Sequence, residues 1–154
     1  MSYGITAQDI AAMRAGWYFD TTTVPTLSVV TDEIIPDAVA EIDNTMRLAL
    51  VDLDALVDPD HPDHDPAALR QVRVLALYLA AAMTAERQFG QPDNTYRQRY
   101  DELRLRFLAQ PQSYGAVVRE RPYPGEPVPG NAPEEESLQS RGPYSGYLRV
   151  GGGF

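Results

Sequence analysis

The chain's only two histidines, His61 and His64, stand in the run VDPDHPDHD among Asp58, Asp60, Asp63 and Asp65. Imidazole and carboxylate are ligand types for a divalent transition metal, which could supply hydrolytic or Lewis-acid chemistry. The spacing argues against it. An H-x-x-H pair on a helix does not aim both rings well at one ion, and Pro59 and Pro62 exclude a regular helix here. No other histidine and no cysteine exists to complete a ligand set. The run reads as a solvated acidic loop, with weak metal binding as the alternative. Elsewhere there is no G-x-S-x-G, P-loop or dinucleotide fingerprint. Glu86 and Glu102 could meet across neighbouring helices, but the Glu-x-x-His pairs of di-metal bundles are missing. Asp43 with Arg47, and Arg97 with Asp101, stand four residues apart and read as surface pairs. The expectation is a protein without catalytic residues, cofactor or metal.

Architecture must then carry the function, and the stretch DPAALRQVRVLALYLAAAMTAERQFG sets it. Asp65 suits the N-cap, Pro66 the first helical position and Gly90 the left-handed residue that closes a helix. Between them Leu69, Val72, Leu75, Ala76, Leu79, Ala82 and Met83 recur at helical spacing. Such a helix would be roughly 36 Å long. Leu77, Tyr78 and Leu79 make it apolar on more than one face, which implies burial from two sides, in a bundle core or partly in a subunit interface.

Composition bounds the rest. A length of 154 residues suits one domain with a core of its own. Net charge is −9 and all 13 basic residues are arginine, without a basic cluster, so nucleic acid and anionic membranes are poor partners. The N-terminus, MSYGITAQDI, lacks the pattern of a secretory signal. Arg70, Arg73 and Glu86 interrupt the most apolar run, so no membrane span is expected, and the chain reads as soluble.

The remaining elements follow in order. Thr6 and Asp9 resemble a capping box ahead of a short helix over 7–16, with Ile10, Met13 and Trp17 on one face. Trp17, Tyr18 and Phe19 form an aromatic knot that packs this helix onto the bundle or, on a sharper reading, meets another subunit. Residues 20–30 read as extended around Pro25. A second long helix is expected from Thr31 or Asp32 to Leu56, with Pro36 in or before its first turn. Its stripe is Ile35, Val39, Ile42, Met46, Ala49 and Leu53. Asp93 or Asn94 caps a third long helix that carries Tyr96, Tyr100, Leu103 and Phe107 on one face and ends at Pro111.

From Gln112 the character changes. Most of the 11 glycines and nearly half of the 13 prolines lie in 112–154. This stretch cannot bury enough apolar surface to fold alone. It reads as an arm, punctuated by Tyr114, Tyr123, Tyr144, Tyr147, Leu148, Val150 and Phe154. Spaced apolar residues on a loose tail order on a partner, and YSGYLRV alternates enough to add as a strand. The expected fold is all-α: a small bundle of three long helices plus a short N-terminal one over 1–111, followed by an extended arm over 112–154.

The order of these elements resembles the head–tail connector (adaptor) proteins of long-tailed bacteriophages. The resemblance covers residues 5–110 and rests on ITAQDIAAMRAG, DEIIPDAVAEIDNTMRLAL, the Ala-rich central helix and YRQRYDELRLRF. It implies a structural virion protein of the neck, assembled in the host cytoplasm. The implied assembly is a homo-dodecameric ring between the portal protein and the tail or head-completion proteins. The arm, through Tyr144, Tyr147, Leu148, Val150 and Phe154, would be the docking element, and DNA would pass through the channel without specific binding. The alternative is a non-viral helical scaffold or protein-binding module.

Overall fold

The computed structural model describes residues 3–120. They form α1 (Ala7–Ala11), α2 (Leu27–Val29), a π turn (Val30–Ile34), α3 (Ile35–Leu48), α4 (Leu53–Val57), α5 (Pro66–Phe89), α6 (Thr95–Ala109) and a 3-10 turn (Pro111–Tyr114). The fold is all-α, a bundle whose three long helices are α3, α5 and α6. Its one β-type pairing among the described residues is an isolated antiparallel bridge between Val51 and Val118.

Helix α5 is the centre, and its local signals set both ends. The Asp65 carboxylate accepts from the Ala67 N–H at 2.8 Å, Pro66 takes the first position, and Gly90 closes the helix at φ 69°. Val72, Leu75, Ala76 and Leu79 are buried, and so are Ala80, Ala81, Ala82 and Ala85. Four consecutive buried residues, Leu79–Ala82, leave no side of that turn open. Within the chain, α6 packs along one side and α3 along the other. The alanines let both neighbours come close, while each fully buried Leu or Val contributes roughly 1.5–3 kcal/mol. By length and by a mean hydropathy of 1.2, α5 also meets the composition of a membrane span, despite its arginines. Half of that stretch is buried in the bundle core.

The second long helix differs from expectation at both ends. It starts at Leu27, where the Thr26 hydroxyl accepts from the Val29 N–H, so the stretch read as extended over 20–30 is helical from Leu27 onward. Pro36 therefore falls well inside a helical run. A proline there donates no hydrogen bond and crowds the carbonyl four residues back. The π turn immediately before it, with the Ile35 N–H bonded to the Val30 carbonyl, widens the helix by one residue and relieves that crowding. The far end is Leu48 rather than Leu56. Leu50 adopts φ 62°, and its N–H meets the Arg47 carbonyl while the Val51 N–H reaches the Met46 carbonyl at 2.9 Å. This is a Schellman closure with leucine in the place usually held by glycine. Asp52 then caps α4, so Leu53 reaches the core from a separate helix. Of the expected stripe, Ile35, Val39, Ile42 and Met46 are buried on α3, joined by Ala38, while Ala49 is only half-buried.

The other elements are shorter or better defined than their sequence suggests. Helix α1 stops at Ala11 instead of Gly16, with the Thr6–Asp9 capping box formed in both directions. Asn94, not Asp93, caps α6. Its side-chain oxygen accepts from the Arg97 N–H, and its NH2 donates to the carbonyls of Gln91 and Ala82. The compact unit also runs past residue 111, through Glu120. The Tyr114 ring stacks on Phe107 with centroids 5.4 Å apart, and Ala116 is buried. The Val117 carbonyl accepts from the Asp52 N–H, and the Arg119 N–H donates to the Leu50 carbonyl.

Candidate functional site

The acidic loop uses its side chains on its own backbone. The Asp58 carboxylate accepts from the Asp60 N–H, and the His61 Nδ1 accepts from the Asp63 N–H at 3.1 Å. That bond leaves the His61 proton on Nε2. The His64 Nδ1 lies 2.9 Å from the Ala55 carbonyl, which makes it the donor. Asp65 caps α5. Thus each ring is fixed by a different main-chain neighbour, and among the described residues no three His, Asp or Glu side chains converge on a point that could hold a metal ion. Glu102, Asp101 and Asp43 are engaged as well, whereas Glu86 is exposed and joins none of these pairs. Glu102 pairs with Arg99 and Arg106, each at 2.9 Å. Arg97 reaches Glu41 on α3 at 3.9 Å, and Asp101 pairs with Arg104, so the expected Arg97–Asp101 pair gives way to a contact between helices. Asp43 accepts from the Tyr3 hydroxyl.

A different region has the form of a recognition surface. The segment between α1 and α2 folds back over the C-terminal end of α5 and the start of α6. Trp17 anchors it: the ring stacks on Tyr96 at 5.4 Å, and its Nε1 donates to the Gln88 Oε1 at 2.7 Å. Phe19 lies against Trp17 at 6.1 Å. The Arg14 guanidinium stands 5.9 Å from the Trp17 ring centroid and 4.7 Å from that of Phe89. The packing reading of the aromatic knot therefore holds for Trp17 and Phe19. Trp17 and Phe19 are half-buried and tie the segment to the bundle, whereas Tyr18 is 66% exposed.

Tyr18 is not alone. Val24 is 68% exposed, and Leu27 and Phe89 are also exposed. These residues belong to the same segment and to the helix ends it covers. Two shallow cavities of about 240 Å³ each flank the segment. The first is lined by Ala7, Gln8, Ala11, Trp17, Tyr18, Phe19 and Leu27. The second is lined by Val24, Pro25, Val29 and Arg87, with Thr23 and Thr26. Each is smaller than the roughly 300–1,000 Å³ of a small-molecule site and suits single side chains better.

The segment is rigid for a chemical reason. Asp20 accepts from the Thr22 N–H and hydroxyl and from the Thr23 N–H, while its carbonyl accepts from the Leu27 N–H. The Thr23 hydroxyl donates to the Pro25 carbonyl at 2.8 Å. The Thr22 backbone bond, then its hydroxyl, hold the Asp20 carboxyl below its ordinary range. The extended reading of residues 20–30 contains no such staple; an Asp followed two residues later by Thr is the local signal for it. Exposure at Val24, Leu27 and Phe89 carried no local signal, because it depends on which remote elements pack nearby.

The five arm residues expected to bind a partner, Tyr144, Tyr147, Leu148, Val150 and Phe154, lie outside the described residues. No family model, curated protein or solved structure matches the chain.

Proposed function

We propose that this chain is a structural assembly protein, a head–tail adaptor that forms a ring between a phage portal and tail and docks through its C-terminal arm. The observation that carries the reading is the helix order: a short capped helix, a helical run from Leu27 that carries Asp32, Glu33 and Asp37, a long Ala-rich helix and a Tyr-bearing helix in one small bundle. A rigid wedge of this kind suits a ring subunit. The net charge of −9 suits a channel through which a DNA duplex slides without being held. No catalytic role and no cofactor enter the proposal. The partners are the portal protein, neighbouring copies, and tail or head-completion proteins, with Tyr144, Tyr147, Leu148, Val150 and Phe154 as the docking residues.

The test is cryo-electron microscopy of the full chain mixed with purified portal rings from the same genome. A ring of ordered copies on the portal, with density for the arm, supports the proposal. Bare portals at high protein excess remove it. The exposed surface around Tyr18 favours a second reading, a protein-binding module outside a virion. Genes for portal, capsid and tail proteins beside this one would favour the first reading, and unrelated neighbours the second.

A further inference from the structure

We propose that the surface around Trp17 binds a partner segment in which a bulky apolar side chain stands beside a carboxylate. The apolar half of this recognition is the cavity formed by Trp17, Tyr18, Phe19, Leu27 and the small side chains of Ala7 and Ala11, with polar Gln8 also lining it. Its size admits one large side chain, and the alanines leave its floor open. The half that takes the carboxylate is the basic side chain of Arg14. Its guanidinium is held between the faces of Trp17 and Phe89, a placement that leaves the N–H edges of the fork free.

Charge complementarity decides the chemistry of the occupant. Arg73, Arg87, Arg97, Arg99, Arg104 and Arg106 each have a carboxylate within 4.0 Å. Arg14 and Arg70 have none among the described residues, and of the two only Arg14 stands over aromatic rings. Arg14 shares Trp17 with the cavity, and a stacked arginine can donate to a carboxylate bidentately. The surface is also prepared in advance. Trp17 is fixed by Tyr96 and Gln88, and Asp20 staples the segment, so little ordering remains to be done on binding. This site is separate from the C-terminal arm and does not depend on the adaptor reading.

The test uses the full chain to select from a random peptide library, with the Arg14→Gln variant selected in parallel. Selected peptides are then titrated against the fluorescence of Trp17, the only tryptophan. The expected result is enrichment of peptides with Leu, Phe or Trp next to Asp or Glu, and saturable change in Trp17 emission. Binding should weaken about tenfold or more in Arg14→Gln, and in peptides with Gln or Asn replacing the acid. Tyr18→Ser should weaken the same peptides while leaving the fold intact, because Tyr18 is exposed. Three outcomes overturn the proposal. One is no enrichment. Another is enrichment of apolar peptides that bind Arg14→Gln equally well. The third is a concentration-dependent shift in emission of the protein alone, measured by sedimentation as self-association, which would make a second copy the occupant.

Discussion

At the scale of single residues, two positions hold unusual constraints. Gly115 closes the 3-10 turn at φ 93°, and a methyl group there would run into the Asp65 carboxylate that caps α5. Gly115→Ala therefore meets both backbone strain and a collision, and should destabilise the protein by about 1–3 kcal/mol, read as a lowered denaturant midpoint. An unchanged midpoint would mean that the two ends of this contact part easily. Tyr100 is the opposite case. It is buried between α3 and α6, and its hydroxyl has no hydrogen-bond partner; the nearby Thr45 hydroxyl donates to the Glu41 carbonyl instead. Tyr100→Phe removes an unsatisfied group and should leave stability unchanged or raise it by about 1 kcal/mol. Burial, and next the Glu41 charge, raise the Tyr100 phenol above 10.0. Its contribution is thus fully present below pH 10 and is lost as pH rises through the raised value. Tyrosine absorbance should show one late-titrating ring that disappears in Tyr100→Phe.

At the scale of elements, caps do more than end helices. Asn94 both caps α6 and donates to the Ala82 carbonyl of α5, which links the two helices at their shared turn. Asn94→Ala should cost about 2 kcal/mol, from one cap and one bond between helices. Asn94→Asp keeps the acceptor and loses the donor, so it should fall between wild type and Ala in thermal unfolding. Equal losses for both would assign the whole effect to the donor. The Asp20 staple predicts a pH effect. A lowered carboxyl contributes stability that is present above the ordinary 3.8 and lost as pH falls through its lowered value. Trp17 emission should change in that acid range before the helices unfold, and Asp20→Asn should move the change.

At the scale of the whole molecule, the segment after α6 belongs to the body. Tyr114 stacks on Phe107, and Val117 and Arg119 bond to Asp52 and Leu50. A chain ending at Glu120 should keep this contact set, whereas one ending at Pro111 should lose roughly 2–4 kcal/mol, the sum of one ring stack and the lost backbone bonds. Matched denaturant curves of the two truncations decide the point; identical midpoints would show that residues 112–120 only lie on the surface. The same contacts explain the break after Leu48. A leucine at φ 62° is locally unfavourable. It persists where Leu50 and Asp52 are held by backbone from more than sixty residues away.

The sequence by itself determined the helical class, the central helix from Asp65 to Gly90, the Thr6 box and the stripe of α3. Each rests on signals a few residues apart, where cap chemistry and 3.6-residue periodicity act without help from distant chain. The π turn before Pro36, the left-handed Leu50 and the start at Leu27 were decided by tertiary packing. At the candidate surface the aromatic triplet Trp17–Phe19 was legible as a type of residue, but its orientation was not. Which ring faces inward depends on Tyr96 and Gln88, and whether Arg14 finds a carboxylate depends on which acidic residues the bundle brings near. Those are distances between remote segments, and no local rule in the chain specifies them.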